Sequence, residues 1–115
     1  MNTKITVGIL GATSLTGRVL VKILLNHSGV SIEWIHSNSS PGVNYCDIYP
    51  QFTASFLKDS KNSGVLTDYS TVKNLKPDVV FSCLPHGISA KNLLPFIKNE
   101  HTRVIDLSAD FRLKD

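Results

Sequence analysis

The amino-acid sequence predicts an α/β fold, a doubly wound parallel sheet with helices on both faces. An apolar run ends at a glycine-rich turn, a stretch with helical apolar spacing follows, and later apolar runs alternate with a second helical stretch. The 115 residues are 42% hydrophobic and 18% charged, which is typical of one folded domain with its own core.

The chain begins with a predicted buried strand over residues 4–10, followed by a turn and a helix over residues 14–27. Apolar positions at helical spacing predict one apolar stripe on that helix, formed by Leu15, Val19, Leu20, Ile23 and Leu24. We expect Arg18 and Lys22 on the opposite, solvated face. Gly29 is expected to end the helix as a left-handed cap.

The glycine-rich turn predicts a site for the pyrophosphate of a dinucleotide. Its glycines allow a sharp turn, a close approach to phosphate and a helix packed close to the strand. The first N–H groups of the helix are expected to point at the phosphate, and the Ser14 hydroxyl to donate to it. The predicted contacts are Gly8, Gly11, Thr13, Ser14, Leu15, Thr16 and Gly17. The alternative is an ordinary tight turn between a strand and a helix.

The second predicted strand, residues 30–36, ends where a dinucleotide fold selects its cofactor. An Asp or Glu at this point would bind the ribose 2′-hydroxyl of NAD, but residues 36–40 contain no carboxylate. Short hydroxyl and amide side chains can surround a 2′-phosphate, so Ser37 and Asn38 favour NADP. The alternative is a plain polar loop.

The middle of the chain predicts less regular structure. Residues 41–50 are expected to be irregular, residues 51–57 alternate as a short strand would, and residues 59–64 have the composition of a surface loop. Residues 71–75 are expected to form a short helix. Cys46 is interpreted as a half-buried structural thiol, since no basic residue lies near it in sequence.

Residues 79–84 form an apolar run typical of a strand buried on both faces. The run ends at Leu84, Pro85, His86 and Gly87, which are expected to border the nicotinamide half of the cofactor. His86 is interpreted as part of the cofactor wall, with a loop histidine near a helix start as the alternative. Cys83 is expected to be buried and inert.

A last helix over residues 87–99 and a strand over residues 102–107 complete the prediction. Pro95 lies inside this helix and predicts a kink or a restart. The order is therefore β-α-β, an irregular segment and β-α-β, with right-handed crossovers between parallel strands.

Composition argues against several other classes of protein. The net charge is only +3, and the twelve basic residues are scattered, so no nucleic-acid face is expected. The first residues of the chain do not have the basic-then-apolar pattern expected of a signal peptide, and no apolar stretch approaches membrane-spanning length. Two cysteines outside a C-x-x-C motif favour a reducing, cytoplasmic compartment, and four isolated histidines give no sign of a metal site.

Several stretches together resemble the N-acetyl-γ-glutamyl-phosphate reductase family, an NADP-dependent enzyme of arginine biosynthesis. They are residues 7–17, Tyr49-Pro50, residues 84–87 and residues 104–113. The Leu-Pro-His-Gly turn followed by Asp-Leu-Ser-Ala-Asp-Phe-Arg is the most specific part. The resemblance implies that residues 1–115 form a Rossmann-type NAD(P)-binding domain. Ser14 and Asn38 depart from the family pattern, which usually has glycine and arginine at these positions.

The resemblance also implies a mechanism and a division of the enzyme. A cysteine thiolate displaces phosphate from N-acetyl-glutamyl phosphate, and NADPH reduces the resulting thioester to the semialdehyde. That cysteine belongs to a Gly-Cys-Tyr-Pro-like turn, which this chain lacks. No catalytic residue is therefore expected here, and the catalytic and dimerisation domain of a homo-oligomeric parent enzyme is expected outside the chain. Ser108 and Arg112 are candidates for binding the small-molecule substrate, with a salt bridge to Asp110 or Asp115 as the alternative for Arg112.

Two other functions stay open at this point. A relative such as aspartate-semialdehyde dehydrogenase shares the glycine turn and the chemistry, although the motif at residues 106–112 argues against it. A stand-alone NADP-binding or sensing module without chemistry is the third hypothesis.

Overall fold

The computed structural model describes residues 4–53, 64–85 and 87–107. The elements in chain order are β1 (Ile5–Leu10), α1 (Leu15–Leu25), β2 (Val30–His36), α2 (Tyr45–Ile48), a 3-10 turn (Pro50–Phe52), β3 (Leu66–Thr67), α3 (Tyr69–Val72), β4 (Val79–Ser82), α4 (Ile88–Lys98) and β5 (Arg103–Asp106). These strands form one parallel sheet in the order β3-β2-β1-β4-β5. The predicted fold class is confirmed, and the strand order is that of a Rossmann-type sheet.

Helices cover both faces of the sheet and create two hydrophobic clusters. On one face α1 and α2 contribute Val21, Leu24 and Tyr45, which pack with Val7 and Ile9 of β1. On the other face α3 and α4 contribute Val72, Leu93 and Phe96. These side chains pack with Leu10, Trp34 and Val80 of the sheet. The sheet is therefore buried on both sides, as doubly wound folds require.

A bulge in β2 explains why Gly8 is a glycine. The register between β1 and β2 shifts from Val7–Ile32 to Gly8–Trp34, so Glu33 is an extra residue in β2. The shift turns Trp34 towards α4, where it stacks on Phe96 with ring centroids 5.8 Å apart. A Cβ on Gly8 would lie 2.2 Å from the indole Cε2. Gly8 therefore makes room for Trp34, and its contact with a phosphate stays a prediction.

Helix α1 buries only part of the stripe that its apolar spacing predicted, namely Leu24 and, in part, Leu20. Leu15, Val19 and Ile23 are 70%, 53% and 56% exposed, whereas Gly17 and Val21 are buried together with Leu24. The helix is apolar around most of its circumference, so spacing alone does not identify the inner face. The position of Gly17 identifies the inner face, because a Cβ added to this residue would lie 2.5 Å from the Gly11 carbonyl oxygen.

The end of α1 also differs from the prediction. The helix ends at Leu25 with Asn26 as its cap, and the Asn26 N–H bonds to the carbonyls of Ile23 and Leu24. Gly29 is not left-handed. Its N–H instead donates to Nδ1 of His27 at 3.0 Å, so a histidine side chain closes the connection to β2.

The segment predicted to be irregular contains α2 and the 3-10 turn. Rings at positions 45, 49 and 52, which is helical spacing, pack on one another, with Tyr45 4.9 Å from Tyr49 and 5.4 Å from Phe52. Within the described residues, Gln51 and Phe52 belong to the 3-10 turn and not to a strand. Residues 54–57, and all but Gly64 of the predicted surface loop, lie outside the described residues.

The remaining differences are small. The short helix α3 covers Tyr69–Val72, two to three residues earlier than predicted, because Asp68 caps its first turn. Strand β3 was missed, since only two of its residues pair with β2. Helix α4 is one continuous helix through Pro95, whose missing N–H removes a single hydrogen bond while Leu93 and Phe96 are buried against the sheet.

Candidate functional site

Three loops meet at the edge of the sheet where the parallel strands end. They are the turn after β1, the loop after β2 and the loop after β4. The Thr13 and Ser37 hydroxyls lie 3.2 Å apart and join the first two loops. The Cys83 N–H donates to the Leu10 carbonyl at 2.8 Å and joins the first to the third. The structure thus brings together residues that the sequence placed in separate motifs.

Gly11 makes the sharp bend of the turn. Its φ is +75°, and a Cβ there would lie 3.1 Å from backbone atoms of Cys83 and Leu84. Its N–H donates to Nδ1 of His36 at 3.1 Å, and the next N–H, of Ala12, donates to the His36 carbonyl at 2.8 Å. Only glycine combines this conformation with so close an approach of neighbouring backbone.

The three carbonyls of the turn all accept hydrogen bonds from other parts of the chain. Gly11 O accepts from the Ser14 hydroxyl at 3.0 Å. Ala12 O accepts from the Tyr45 hydroxyl at 2.8 Å, and Thr13 O accepts from the Tyr49 hydroxyl at 3.0 Å. The carbonyl groups are therefore satisfied within the protein, which leaves backbone N–H groups as the donors that the start of α1 can offer.

Ser14 is the N-cap of α1. Its hydroxyl oxygen accepts from the Gly17 N–H at 3.0 Å, and its carbonyl accepts the first helical bond, from Arg18, at 2.9 Å. The amides of Leu15 and Thr16 precede that bond and have no helical partner. The hydroxyl proton of Ser14 is directed to Gly11 O. In this structure the hydroxyl is bonded within the turn, and its donation to a phosphate stays a prediction.

Of the two predicted residues after β2, one is buried and one is exposed. Ser37 is 1% exposed, and its hydroxyl accepts from the Ser40 N–H at 3.2 Å besides contacting Thr13. Ser37 therefore holds the two loops together, and its contact with a cofactor stays a prediction. Asn38 is exposed, and its Oδ1 lies 2.9 Å from Nε2 of His36.

His36 links the loop after β2 to the glycine turn. The residue is fully buried, and burial lowers the pKa of its imidazole below 6.5. Because Nδ1 accepts from the Gly11 N–H, the ring proton of the neutral form lies on Nε2 and points at Asn38. The edge of this ring faces Tyr69 of α3, with centroids 6.2 Å apart.

The described residues of the loop after β4 differ in their exposure. Leu84 is 6% exposed, whereas Pro85 and Gly87 are exposed. Gly87 precedes α4 with φ +94° and open space around its Cβ position. His86, Ser108 and Arg112 lie outside the described residues.

A chain of hydrogen-bonded polar groups connects this loop to α4 and β5. The Leu84 N–H donates to the Ser82 hydroxyl at 3.4 Å, which lies 2.6 Å from the Ser89 hydroxyl. Ser89 donates in turn to Oδ1 of Asp106 at 2.8 Å. These bonds connect the ends of β4 and β5 with the first turn of α4.

Cys83 does not have the character of a nucleophile in a polar site. Cys83 is 7% exposed, and burial followed by the nearby Asp106 carboxylate raises the pKa of its thiol to about 11. Its predicted burial is confirmed. Cys46 is half-buried, as expected, at the start of α2.

The predicted position of Arg18 on a solvated face is wrong. Its guanidinium carbon lies 5.1 Å from the centroid of the Tyr49 ring, and its buried Nε has no hydrogen-bond partner among the described residues. The side chain was expected in solvent on the face opposite an apolar stripe. It instead stacks on the ring whose hydroxyl binds the turn, because the buried face of α1 is centred on Gly17.

Sequence reasoning overlooked His36, Tyr45 and Tyr49 as parts of this site. The aromatic spacing from residue 45 to residue 52 was a usable signal for a helix beside the turn. Nothing local signalled His36, because its partner Gly11 is 25 residues away in sequence. Among the described residues, no group of three potential metal ligands occurs, and no helix has the length and apolar character of a membrane span.

Comparisons with known proteins agree with the geometry. The family model of the semialdehyde dehydrogenase NAD binding domain matches residues 6–115. N-acetyl-gamma-glutamyl-phosphate reductase of Campylobacter jejuni is 44% identical over 97% of this chain, and that of Methanosphaera stadtmanae is 40% identical over 97%. The chain spans 30% of the length of each of these relatives.

A solved structure gives the same fold. Aspartate semialdehyde dehydrogenase with NADP from Candida albicans superposes with a TM-score of 0.70 at 22% identity, over 97% of this chain and 32% of that one. At this identity the likeness concerns the fold. The resemblance identified from the motifs is confirmed by the reductase sequences.

Proposed function

Because the chain belongs to the family of semialdehyde dehydrogenase NAD binding domains, we propose that it is the cofactor-binding part of an NADPH-dependent reductase. The proposed reaction converts N-acetyl-glutamyl phosphate to N-acetyl-glutamate semialdehyde. Identities of 40–44% to reductases of that name support this choice over the aspartate-semialdehyde type. The observation that carries this proposal is the geometry after the Gly11 turn, where the backbone N–H groups of Leu15 and Thr16 at the start of α1 have no helical partner.

The residues of the turn fit the pyrophosphate of a dinucleotide. The amides of Leu15 and Thr16 lie at the positive end of the α1 dipole, and the turn carbonyls are occupied by Ser14, Tyr45 and Tyr49. A carbonyl oxygen facing a phosphate would repel it. Satisfying these oxygens elsewhere leaves a surface of donors, which is the chemistry that an anionic group requires.

The loop after β2 favours NADP over NAD. It carries no carboxylate to accept from a ribose 2′-hydroxyl, and the exposed Asn38 offers a neutral amide there. The family pattern has arginine at this position. We therefore propose selectivity for NADP that rests on a neutral donor, with less electrostatic attraction than a guanidinium supplies.

The loop after β4 is assigned to the nicotinamide half. When bound, NADPH supplies the hydride that reduces the acyl carbon. Leu84, Pro85 and Gly87 would form the protein surface beneath it, together with His86. Ser108 and Arg112 follow β5 in the sequence, and we propose that they bind the carboxylate or phosphate of the substrate.

The nucleophilic thiol is proposed to lie outside this chain. Cys83 is buried with a raised pKa, and Cys46 is a half-buried thiol on α2. The parent enzyme is proposed to be a homo-oligomer with its assembly contacts outside residues 1–115. Two free thiols suit a reducing cytoplasm.

Calorimetric titration of the chain with the four nucleotides tests the cofactor. We expect NADP(H) to bind more tightly than NAD(H), and 2′-AMP more tightly than 5′-AMP, since the smaller pair isolates the 2′-phosphate. Equal or reversed affinities would contradict the proposed role of the loop after β2. No binding of any nucleotide would contradict the proposed function itself.

An activity assay tests the division of the enzyme. The chain with NADPH and N-acetyl-glutamyl phosphate should give no turnover, and Cys83→Ser should not change this result. Adding the remaining part of the parent enzyme should restore turnover if the two parts associate. Turnover by the chain alone that Cys83→Ser abolishes would overturn the assignment of the nucleophile.

A further inference from the structure

His36 makes two side-chain hydrogen bonds that determine each other. Nδ1 accepts from the Gly11 N–H at 3.1 Å, and an amide can only donate, so Nδ1 carries no proton. The proton of the neutral ring is then on Nε2, 2.9 Å from Asn38. A donor at Nε2 requires an acceptor opposite, which is Oδ1 of the Asn38 amide.

This bond determines what Asn38 offers to a ligand. An isolated asparagine amide can present its oxygen or its nitrogen, because the two ends differ little in shape. With Oδ1 bound to His36, the Nδ2 end of the exposed side chain is the one directed to solvent. Two N–H donors suit the oxygens of a 2′-phosphate, whereas a 2′-hydroxyl is recognised in NAD-binding folds by an acceptor.

The surroundings of His36 favour its neutral form. The ring is fully buried, faces the edge of Tyr69 on α3, and lies between the Gly11 amide of the turn and the Asn38 amide of its own loop. Among the described residues, the carboxylate that acts on His36 is Asp68, the exposed N-cap of α3. Asp68 raises the pKa of His36 by less than burial lowers it. Thr67 of β3, paired with His36, adds no charge.

We propose that His36 is a positioning residue that sets the cofactor selectivity of this chain, by accepting from Gly11 on one side and orienting the Asn38 amide as a donor on the other. The inference rests on the proposed NADP-binding function and deepens it. It couples the turn that takes the pyrophosphate to the loop that distinguishes the ribose.

The tautomer is testable without any cofactor. Nitrogen-15 NMR of the histidine-labelled chain at pH 7.5 should give His36 an unprotonated Nδ1 and a protonated Nε2. His101 serves as an internal reference. It is exposed on another part of the surface, and its Nε2 lies 2.9 Å from Oδ1 of Asp78. A protonated Nδ1 on His36 would overturn the inference whatever the nucleotide affinities are.

Selectivity for NADP can be tested with variants that keep the hydrogen bond of residue 36 to Gly11 and remove the one to Asn38. In His36→Asn, the side-chain oxygen can replace Nδ1 as the acceptor for Gly11, but the side chain is too short to reach Asn38. The ratio of NAD⁺ to NADP⁺ dissociation constants should therefore fall about three- to tenfold, the value of one neutral hydrogen bond. Asn38→Ala should lower the ratio similarly, and the double variant should lower it no further.

Matched controls and outcomes make the test decisive. His101→Asn, the same substitution at a distant histidine, should leave the ratio unchanged. A wild-type ratio in His36→Asn, or additive losses in the double variant, would overturn the coupling while leaving NADP binding intact. If the wild-type chain binds no nucleotide, the proposed function fails, and the inferred selectivity fails with it.

Acid gives a second readout. A proton on Nδ1 would face the Gly11 N–H, so charging His36 breaks the bond to the turn. The lowered pKa means that this happens only below the ordinary value of 6.5. Affinity for NAD⁺, which has no 2′-phosphate to titrate, should fall as the pH decreases through that lowered pKa. The fall should be smaller in His36→Asn, and an equal fall in both proteins would contradict the coupling.

Discussion

The turn after β1 and the loop after β4 lie at the same edge of the sheet but are built differently. In the turn, the backbone groups of Gly11, Ala12 and Thr13 bond to four side chains, those of Ser14, His36, Tyr45 and Tyr49. In the loop, Gly87 caps α4 without a side-chain bond and with open space around it. The turn therefore takes its shape from distant elements, whereas the exposed part of the loop can be changed without disturbing them.

The largest expected difference comes from adding one methyl group to each region. Gly17→Ala places Cβ 2.5 Å from the Gly11 carbonyl oxygen and 2.8 Å from backbone atoms of Ala12, so we expect it to lower the free energy of unfolding by about 3 kcal/mol. Gly87→Ala meets no atom and pays only for its positive φ, about 1 kcal/mol. Urea denaturation of both variants measures the difference.

Gly42→Ala is the control for the cost of positive φ, because Gly42 has φ +85° and open space around its Cβ position. It should resemble Gly87→Ala. A Gly17→Ala variant as stable as these two would mean that α1 does not need its close contact with the turn.

The next effect concerns the hydroxyl groups that bind the turn. Tyr45→Phe leaves the carbonyl of Ala12 buried without that donor, which should lower the free energy of unfolding by about 2 kcal/mol and also weaken NADP⁺ binding. Tyr49→Phe should cost about 1 kcal/mol, since Tyr49 is only partly buried. Denaturation and calorimetry measure the two quantities.

Tyr69→Phe is the matched control on the opposite face. It removes a hydroxyl that donates to the Asn92 carbonyl of α4 at 2.8 Å, away from the turn. It should lower stability but leave nucleotide affinity unchanged. Equal losses of affinity in Tyr45→Phe and Tyr69→Phe would show that the turn has no special dependence on α2.

The smallest effect is expected at Ser14. Ser14→Ala removes the N-cap of α1 and should cost about 1 kcal/mol, whereas Ser14→Gly should cost only a few tenths of that. Because the hydroxyl proton is directed to Gly11 O, neither substitution removes a donor from the ligand. Affinity for NADP⁺ that falls sharply in Ser14→Gly, without loss of stability, would restore the direct role that the sequence suggested.

Local patterns predicted the parts of the fold that depend on near neighbours. The strand before Gly11 and the topology of the sheet follow from apolar runs and glycine positions. The inner face of α1 cannot be predicted in this way, because apolar residues surround the helix and its contact with the turn selects Gly17. The role of Gly8 cannot be predicted locally either, since it depends on an extra residue, Glu33, in another strand.

The site was predictable to the same extent. Topology alone brings residues 13, 37 and 84 to one edge of the sheet, and the sequence identified all three. The bonds that shape the turn come from His36, Tyr45 and Tyr49, which are 25, 33 and 36 residues from their partners. Such pairs require the positions of α2 and β2 in space, which no local pattern contains.

The central place of β1 has a consequence for how the chain folds during synthesis. Thr6, near the start of this strand, donates through its N–H to Asp78 at 3.0 Å, across 72 residues of sequence. One side of β1 therefore stays unpaired until β4 has left the ribosome. Contacts of such sequence separation form slowly. The central strand β1 is thus synthesised well before its partner β4 and waits with one side unpaired, so its exposure to aggregation depends on how quickly translation reaches residue 82.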